Sequence, residues 1–181
     1  MFEYIRNIDK EITIFFNNLS HANLDGIMIL ISNKYVWIPL YLLLIYWLWN
    51  YDKKNFKINL ILCVSTVIIS DFITSSIMKP YFERLRPCND SSLQGLINVV
   101  AGCGKKFSFA SSHASTTFSL ATIFYLITNK KIKLIFLWSI LIGYSRIYLG
   151  VHFFIDVIFG FLVGYLTSNL IYRISKKFKL F

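Results

Sequence analysis

Residues 58–78 read INLILCVSTVIISDFITSSIM, a run of 21 residues in which Asp71 is the single charged side chain. A helix rises about 1.5 Å per residue, so a run of this length crosses the roughly 30 Å hydrocarbon layer of a bilayer. The whole chain has a matching composition, because 56% of its 181 residues are apolar and 15% are charged. Soluble domains are about 45 to 50% apolar and about 25% charged. The sequence therefore predicts a membrane protein.

Four further apolar segments have the composition of membrane spans, which gives about five in all. They are 24–49, 114–128, 134–148 and 155–172. Pro39 predicts a kink in the first of them. Ahead of these, residues 1–21 alternate apolar and charged side chains at helical spacing, which is typical of an amphipathic helix lying in the membrane interface. The predicted fold is an all-α polytopic membrane helix bundle.

The basic residues indicate the orientation of the bundle. The net charge is +10, and ten lysines and arginines fall in segments that share one face of a five-span bundle. These are Lys53, Lys54, Lys57, Lys130, Lys131, Lys133, Arg173, Lys176, Lys177 and Lys179. Short basic loops stay in the cytoplasm, so we expect residues 1–21 and the loop 79–113 to lie outside. This placement accounts for much of the charge, and no nucleic-acid partner is expected.

Polar residues also gather at the outer ends of the predicted spans, where topology does not require charge. Lys79 and Pro80 end the second span, Ser111, Ser112 and His113 open the third, Arg146 ends the fourth, and His152 and Asp156 open the fifth. Pro80 should stop the helix directly after Lys79. Charge at membrane depth is costly and indicates a functional site. We therefore predict that these residues meet in one pocket.

The cations in this group favour a phosphate ligand. Lys79, Arg86 and Arg146 have no compensating carboxylates beside them in the sequence. Arginine forks bind phosphate oxygens bidentately, and the helix that starts near Ser112 offers free backbone N–H groups.

The two histidines supply chemistry for such a ligand. His152 and Asp156 are spaced i, i+4, so Asp156 can accept from one ring nitrogen and leave the other as a nucleophile or base. His113 is a second histidine, which makes a general acid available at the same site.

Three stretches together resemble the signature of the type 2 phosphatidic acid phosphatases. They are KPYFERLRP at 79–87, ASSH at 110–113 and SRIYLGVHFFID at 145–156. That superfamily includes undecaprenyl pyrophosphate phosphatases, lipid A phosphatases and vanadium-dependent haloperoxidases. The resemblance covers roughly 71–164, about half of the chain. The family's middle motif is Pro-Ser-Gly-His, so Ala110 and Ser112 depart from it, and a serine must form a turn that glycine forms easily.

The resemblance implies a lipid phosphatase that works through a phosphohistidine, without metal or cofactor. It implies His152 as nucleophile, Asp156 as its orienting partner and His113 as general acid and base. The residues implied to bind phosphate are Lys79, Arg86, Arg146, Ser111 and Ser112. Residues 1–181 would form one membrane-embedded phosphatase domain, with the motifs carried by the 79–113 loop and by 145–156.

We make separate predictions for four other residues. Arg84 either faces solvent or contacts the substrate, and Asp71 either supports a motif cation or another helix or touches the substrate. Cys88 and Cys103 lie in one external loop, where an oxidising compartment permits a disulfide.

We expect the partner to be a lipid phosphate held in the bilayer of a bacterial cytoplasmic membrane, since richness in Lys, Asn and Ile is typical of AT-rich bacterial genomes. The site would face the periplasm or the cell exterior. Undecaprenyl diphosphate is favoured slightly over lipid A phosphate, and both are favoured over phosphatidic acid or phosphatidylglycerol phosphate. A vanadate-dependent haloperoxidase and a non-enzymatic lipid-phosphate binder or transporter are the alternatives, and the oligomeric state is left open.

Overall fold

The computed structural model describes residues 2–178, apart from the Phe2 side chain. Lys179, one of the ten basic residues assigned to the cytoplasmic face, lies outside this range. The described residues contain no β-strand and one isolated bridge, between Leu85 and Phe107. The helices are α1 (Phe2–Asn17), α2 (Ala22–Ser32), α3 (Ile38–Tyr51), α4 (Phe56–Phe72), α5 (Lys79–Phe82), α6 (Ser112–Ile127), α7 (Ile135–Tyr148) and α8 (Phe154–Lys177). The all-α prediction is confirmed.

Within the described residues, two helices are long and apolar enough to cross a membrane. One is a continuous helix of 27 residues, Phe56–Phe82, and the other is α8, with 24 residues. A third span qualifies only if α2 and Lys34–Tyr51 count together, although they are bent by 65°. Helices α6 and α7 are shorter, with 16 and 14 residues. Length and composition thus support two or three spans, where the sequence predicted about five.

The bend in the first span lies at Asn33 rather than at Pro39. The Asn33 side chain accepts from the Tyr35 N–H at 3.0 Å and opens a short 3-10 turn, Lys34–Trp37. Pro39 sits in the first turn of α3, where a missing N–H leaves no helical hydrogen bond unmade. The predicted kink exists, but a side-chain cap produces it and not the proline.

Pro80 does not stop the second span, which corrects the sequence prediction. A π-helical segment, Ile73–Met78, joins α4 to α5, and Pro80 lies in the first turn of α5. The π segment changes the hydrogen-bond register just where the proline ring would meet a carbonyl one turn earlier. The helix ends at Phe82, and Glu83 follows in the left-handed region at φ 45°. The outer loop therefore runs over 83–111 instead of 79–113.

Helix α6 lies at the centre of the bundle, packed most extensively against α8 and also against α4 and α7. Its buried side chains are mostly small: Ala114, Ser115, Thr117, Ser119, Ala121 and Thr122. Small residues let helix backbones approach closely. At Gly160 of α8, an added Cβ would lie 2.6 Å from the Ser111 carbonyl oxygen and 2.8 Å from the Ala114 Cβ. Glycine is thus required at this crossing.

Two of the lysine-rich loops meet at one end of the bundle. The Asn129 side chain lies 3.5 Å from the Tyr51 hydroxyl, and the Lys131 ammonium lies 5.6 Å from the centre of the same ring. The predicted motifs lie at the opposite ends of the adjoining helices. The predicted orientation of the bundle in the membrane depends on this separation of the lysine-rich loops from the motifs.

A disulfide shapes the outer loop. Cys88 and Cys103 are bonded, with their Cα atoms 5.9 Å apart, and Cys63 is a free, buried thiol in α4. Beside the disulfide, the Ser108 N–H donates to the Arg84 carbonyl at 2.8 Å, and the Arg86 N–H donates to the Lys106 carbonyl at 3.3 Å. The loop therefore presents residues 84–86 as an extended, fixed segment.

We expect Gly160→Ala to lower the melting temperature of the purified protein. The added methyl overlaps the Ser111 carbonyl, which belongs to the backbone and cannot rotate away, and overpacking of this kind costs about 1 to 3 kcal/mol. Gly26→Ala on α2 is the matched control, because nothing lies within 4 Å of a Cβ at that position. Equal melting temperatures for Gly160→Ala and wild type would contradict the close crossing.

The disulfide predicts the outcome of thiol labelling in denaturant. Of the three cysteines, only Cys63 should react before reduction, and all three should react after it. Intact mass measures the number of labels. Labelling of Cys88 and Cys103 in unreduced protein would show that the loop is open.

Candidate active site

The three sequence motifs converge at one end of the bundle. Helix α5 carries Lys79, the start of α6 carries His113, and the end of α7 carries Arg146. His113 lies within electrostatic range of Arg146, Lys79 and Arg86 and of the His152 ring. The structure thus brings together residues that are up to 73 positions apart in the sequence, from Lys79 to His152.

His152 is held from both ring nitrogens. Its side chain is 2% exposed, its Nδ1 lies 3.4 Å from Asp156 Oδ2, and its Nε2 lies 3.3 Å from Arg86 Nη1. A guanidinium can only donate, so Nε2 must accept. The proton of the neutral ring therefore belongs on Nδ1, where it faces Asp156, and Nε2 carries the lone pair.

A tight turn between α7 and α8 places this histidine. Gly150 has a φ of 73°, a conformation that favours glycine. The N–H groups of Val151 and His152 both donate to the Arg146 carbonyl at 3.2 Å, and Arg86 Nη1 donates to the Val151 carbonyl at 2.8 Å. The turn ties Arg146, His152 and Arg86 into one rigid unit.

Asp156 has a structural task as well as an electrostatic one. Its Oδ2 accepts the Phe153 N–H at 2.9 Å and so caps α8, while its Oδ1 accepts from Arg84 Nη1 at 2.9 Å. The carboxylate is fully buried, with both oxygens bonded. Its orientation toward His152 is therefore fixed by the helix start.

Lys79 and Arg146 each contact a serine hydroxyl, and both lie within electrostatic range of His113. Lys79 Nζ contacts Ser112 Oγ at 2.5 Å, and Arg146 Nη1 contacts the Ser32 hydroxyl. The buried Nε of Arg146 has no acceptor among residues 2–178. An unpaired buried donor is costly. An anion between these cations would satisfy it.

The start of α6 forms without the family's glycine. Ser111 is fully buried, and its hydroxyl caps the helix by accepting from the Ala114 N–H at 3.5 Å. Its own N–H donates to the Asp156 carbonyl at 2.9 Å. Ser112 directs its hydroxyl to Lys79 and, at 2.8 Å, to Ser75. Both serine hydroxyls therefore have partners within the protein. The phosphate-binding roles predicted for Ser111 and Ser112 remain proposals.

Arg84 does not simply face solvent, since its guanidinium pairs with Asp9 and with Asp156 and lies 3.9 Å from the centre of the Phe153 ring. These contacts commit its charge to two carboxylates, and its contact with a substrate stays a prediction. Arg84 and Arg86 are two positions apart in an extended segment, so both point to the same side, one toward Asp156 and one toward His152.

Asp71 is exposed on the surface of α4 and accepts from the Ser75 hydroxyl at 3.0 Å. Because Ser75 contacts Ser112, and Ser112 contacts Lys79, this arrangement favours support of a motif cation over contact with the substrate.

Sequence reasoning missed Asp9. It belongs to the charged side chains of the amphipathic helix predicted over residues 1–21, but the structure buries it to 1% exposure beside Arg84. Burial raises the pKa of the Asp9 carboxyl above its ordinary value, while hydrogen bonds from Arg84 and the Ile155 N–H act in the opposite direction. The available signal was the spacing of Asp9, Thr13 and Asn17, three short polar residues on one face of an amphipathic helix.

This chain resembles known proteins in both sequence and structure. The sequence profile of the PAP2 superfamily matches residues 58–180. A lipid A 4'-phosphatase from Porphyromonas gingivalis is 33% identical over 95% of this chain and 75% of its own length. An undecaprenyl-diphosphatase from Sulfolobus acidocaldarius is 32% identical over 95% of this chain and 84% of its own length. The crystal structure of Aquifex aeolicus LpxE superimposes with a TM-score of 0.66 at 27% identity, covering 90% of this chain and 93% of that one.

We expect His152 to stay neutral in mildly acidic solution. Burial, and then the charges of Arg86 and Arg146, hold the pKa of His152 well below its ordinary value. A lowered pKa means that the neutral ring persists as the pH falls. At a pH of about 5.5 an ordinary histidine, with a pKa of about 6.5, is about 90% charged, whereas His152 should remain neutral with its proton on Nδ1.

Nitrogen NMR of labelled histidine rings measures this directly, since the chain has three histidines and His152→Gln identifies the resonance. A charged His152 ring at that pH would contradict the site geometry.

Proposed function

This chain belongs to the PAP2 superfamily, and from that premise we propose that it is a membrane lipid phosphatase that removes a terminal phosphate through a phosphohistidine at His152. The observation that carries the proposal is the arrangement around the neutral His152 ring. Lys79, Arg86 and Arg146 surround it, and the buried Nε of Arg146 lacks an acceptor within residues 2–178. Positive charge in excess of negative charge suits a phosphate group.

In the first step, the Nε2 lone pair of His152 attacks phosphorus and the bond from phosphorus to the lipid oxygen breaks. The ring becomes a phosphorylated imidazolium whose Nδ1–H still donates to Asp156. The three cations stabilise the non-bridging oxygens, and the Arg86 N–H that donates to Nε2 can donate to one of these oxygens instead. His113 gives its proton to the leaving oxygen. Negative charge brought by the phosphate favours the protonated form of His113.

In the second step, His113, now neutral, takes a proton from water, and the resulting hydroxide attacks phosphorus. The phosphorus–nitrogen bond breaks, its electron pair returns to Nε2, and inorganic phosphate leaves. All proton transfers use His113, and Asp156 stays ionised throughout. We propose that these steps need no metal ion.

The position of the site supports a lipid substrate that stays in the bilayer. The motif residues lie at helix ends, so a phosphate can enter while its acyl or prenyl chain remains among the helices. We propose that the site faces the periplasm or the cell exterior of a bacterial cytoplasmic membrane. The lysine-rich loops at the other end of the bundle and the disulfide in the outer loop support this orientation.

Two substrate classes have support from the relatives. The lipid A 4'-phosphatase and the undecaprenyl-diphosphatase match this chain at 33% and 32% identity. We propose a lipid A-type sugar phosphate first and undecaprenyl diphosphate second. The sequence alone favoured the diphosphate slightly, and the relatives reverse that order. Haloperoxidase activity is disfavoured, since the spans Phe56–Phe82 and α8 embed this site in a membrane.

A phosphate-release assay on the purified protein tests the proposal. His152→Ala should abolish turnover because it removes the nucleophile, and His113→Gln should reduce kcat on the order of 10² to 10⁴-fold. The third histidine supplies a matched control, since His21 is exposed and caps only α2, so His21→Ala should retain activity. Full activity of His152→Ala would exclude the phosphohistidine.

The same assay, run with lipid A, undecaprenyl diphosphate, phosphatidic acid and phosphatidylglycerol phosphate, identifies the preferred headgroup. A chelator should leave the rate unchanged, and loss of activity with chelator would overturn the metal-free mechanism. Peroxidase turnover with vanadate in the absence of phosphate release would instead favour the haloperoxidase alternative.

A further inference from the structure

Helix α1 contributes polar side chains to the rear of the site. Asp9 and Thr13 are buried on the face of α1 that contacts α8. Asp9 Oδ1 accepts the Ile155 N–H at 2.8 Å, and Thr13 Oγ1 accepts the Phe154 N–H at 3.0 Å. Thr13 also donates to the Asp9 carbonyl at 2.6 Å. Helix α1 therefore caps the first turn of α8, the turn that carries Asp156.

Arg84 connects this cap to the catalytic pair. One of its terminal nitrogens pairs with Asp9 Oδ2, and the other pairs with Asp156 Oδ1 at 2.9 Å. The guanidinium lies over the Phe153 ring, which fixes its plane. Asp156 Oδ2 then lies 3.4 Å from His152 Nδ1. An unbroken series of contacts leads from Asp9 through Arg84 and Asp156 to the proposed nucleophile.

We propose that Asp9 and Arg84 are positioning residues that hold Asp156, and through it His152, in the orientation for attack, so that activity requires α1 to be docked on the bundle. This inference rests on the proposed function. Neither residue needs to touch the substrate, since both act through Asp156.

The charges explain why both residues are needed. Two buried carboxylates face each other across Arg84, and without its charge they would repel each other. This repulsion would change the position of Asp156 relative to His152. Without Asp9, Arg84 would lose one of its two anchors and be free to rotate away from Asp156. Only the planar fork of arginine can bond to both carboxylates at once.

The first part of the test compares kinetics. Asp9→Asn and Arg84→Gln should lower kcat on the order of 10- to 100-fold, the effect of misplacing a reacting group, with little change in KM. Glu11→Gln is the matched control for Asp9→Asn, because Glu11 is exposed two positions along the same helix. Arg173→Gln, exposed at the far end of α8, is the control for Arg84→Gln. Both controls should match wild type.

The second part measures His152 itself, by nitrogen NMR of the histidine rings across a pH series. The charged or titratable groups that face this ring are Arg86, Arg146, Lys79, Arg84, His113 and Asp156. Removing the negative charge of Asp9 leaves this surrounding more positive, so Asp9→Asn should move protonation of His152 to lower pH. Removing the positive charge of Arg84 should move it to higher pH. A merely structural defect would produce no such pair of opposite shifts.

Arg84→Lys completes the set, because it keeps the charge and loses the fork. It should lower kcat while shifting the His152 titration less than Arg84→Gln does. The proposal is overturned if Asp9→Asn and Arg84→Gln match their controls, if kcat falls without opposite His152 shifts, or if both variants fail to fold. If wild type releases no phosphate from any lipid, the proposed function fails, but the NMR shifts still decide the positioning role.

Discussion

The free backbone N–H groups at the start of α8 set the constraint on which the site depends. Near hydrocarbon, an N–H without an acceptor is costly. The N-cap residue of α8 is Phe153, which has no side-chain acceptor to offer. Asp156, Thr13 and Asp9 supply the acceptors instead. The Asp156 carboxylate both caps the start of α8 and faces His152. The position at which the helix begins and the orientation of the His152 ring are therefore fixed together.

The two arginines of the first motif each contact one member of the His152–Asp156 pair. Arg84 and Arg86 lie on one side of an extended segment that the Leu85–Phe107 bridge and the Cys88–Cys103 disulfide join to the later part of the same loop. Arg84 compensates the buried carboxylates, and Arg86 donates to the lone-pair nitrogen of His152. Loop and helix thus contribute to opposite ends of the same histidine–aspartate pair. The cations that remain around the ring leave an excess of positive charge for a phosphate.

Much of this could be predicted from the sequence, since apolar runs, basic loops and spaced motifs are local signals. They predicted the helical bundle, the start of α6 and the grouping of the motif residues at one end. They failed where a distant contact decides the outcome. Pro39 predicts a kink, whereas the bend lies at Asn33, and the amphipathic pattern of residues 1–21 does not reveal that Asp9 is buried. Asp9 finds Ile155 and Arg84 only in the folded chain, 146 and 75 residues away.

The seam between α6 and α8 also bears on how such a protein can change over generations. Gly160 faces Ser111 and Ala114, and the Ser111 N–H in turn bonds to the Asp156 carbonyl. A bulkier residue at 160 would push apart the two helices that carry His113 and Asp156. Substitutions at these positions are therefore coupled, because one helix can accept a larger side chain only after the facing side chain on the other has become smaller. Homologous chains should preserve the summed side-chain volume between α6 and α8 more closely than the identity of any single residue.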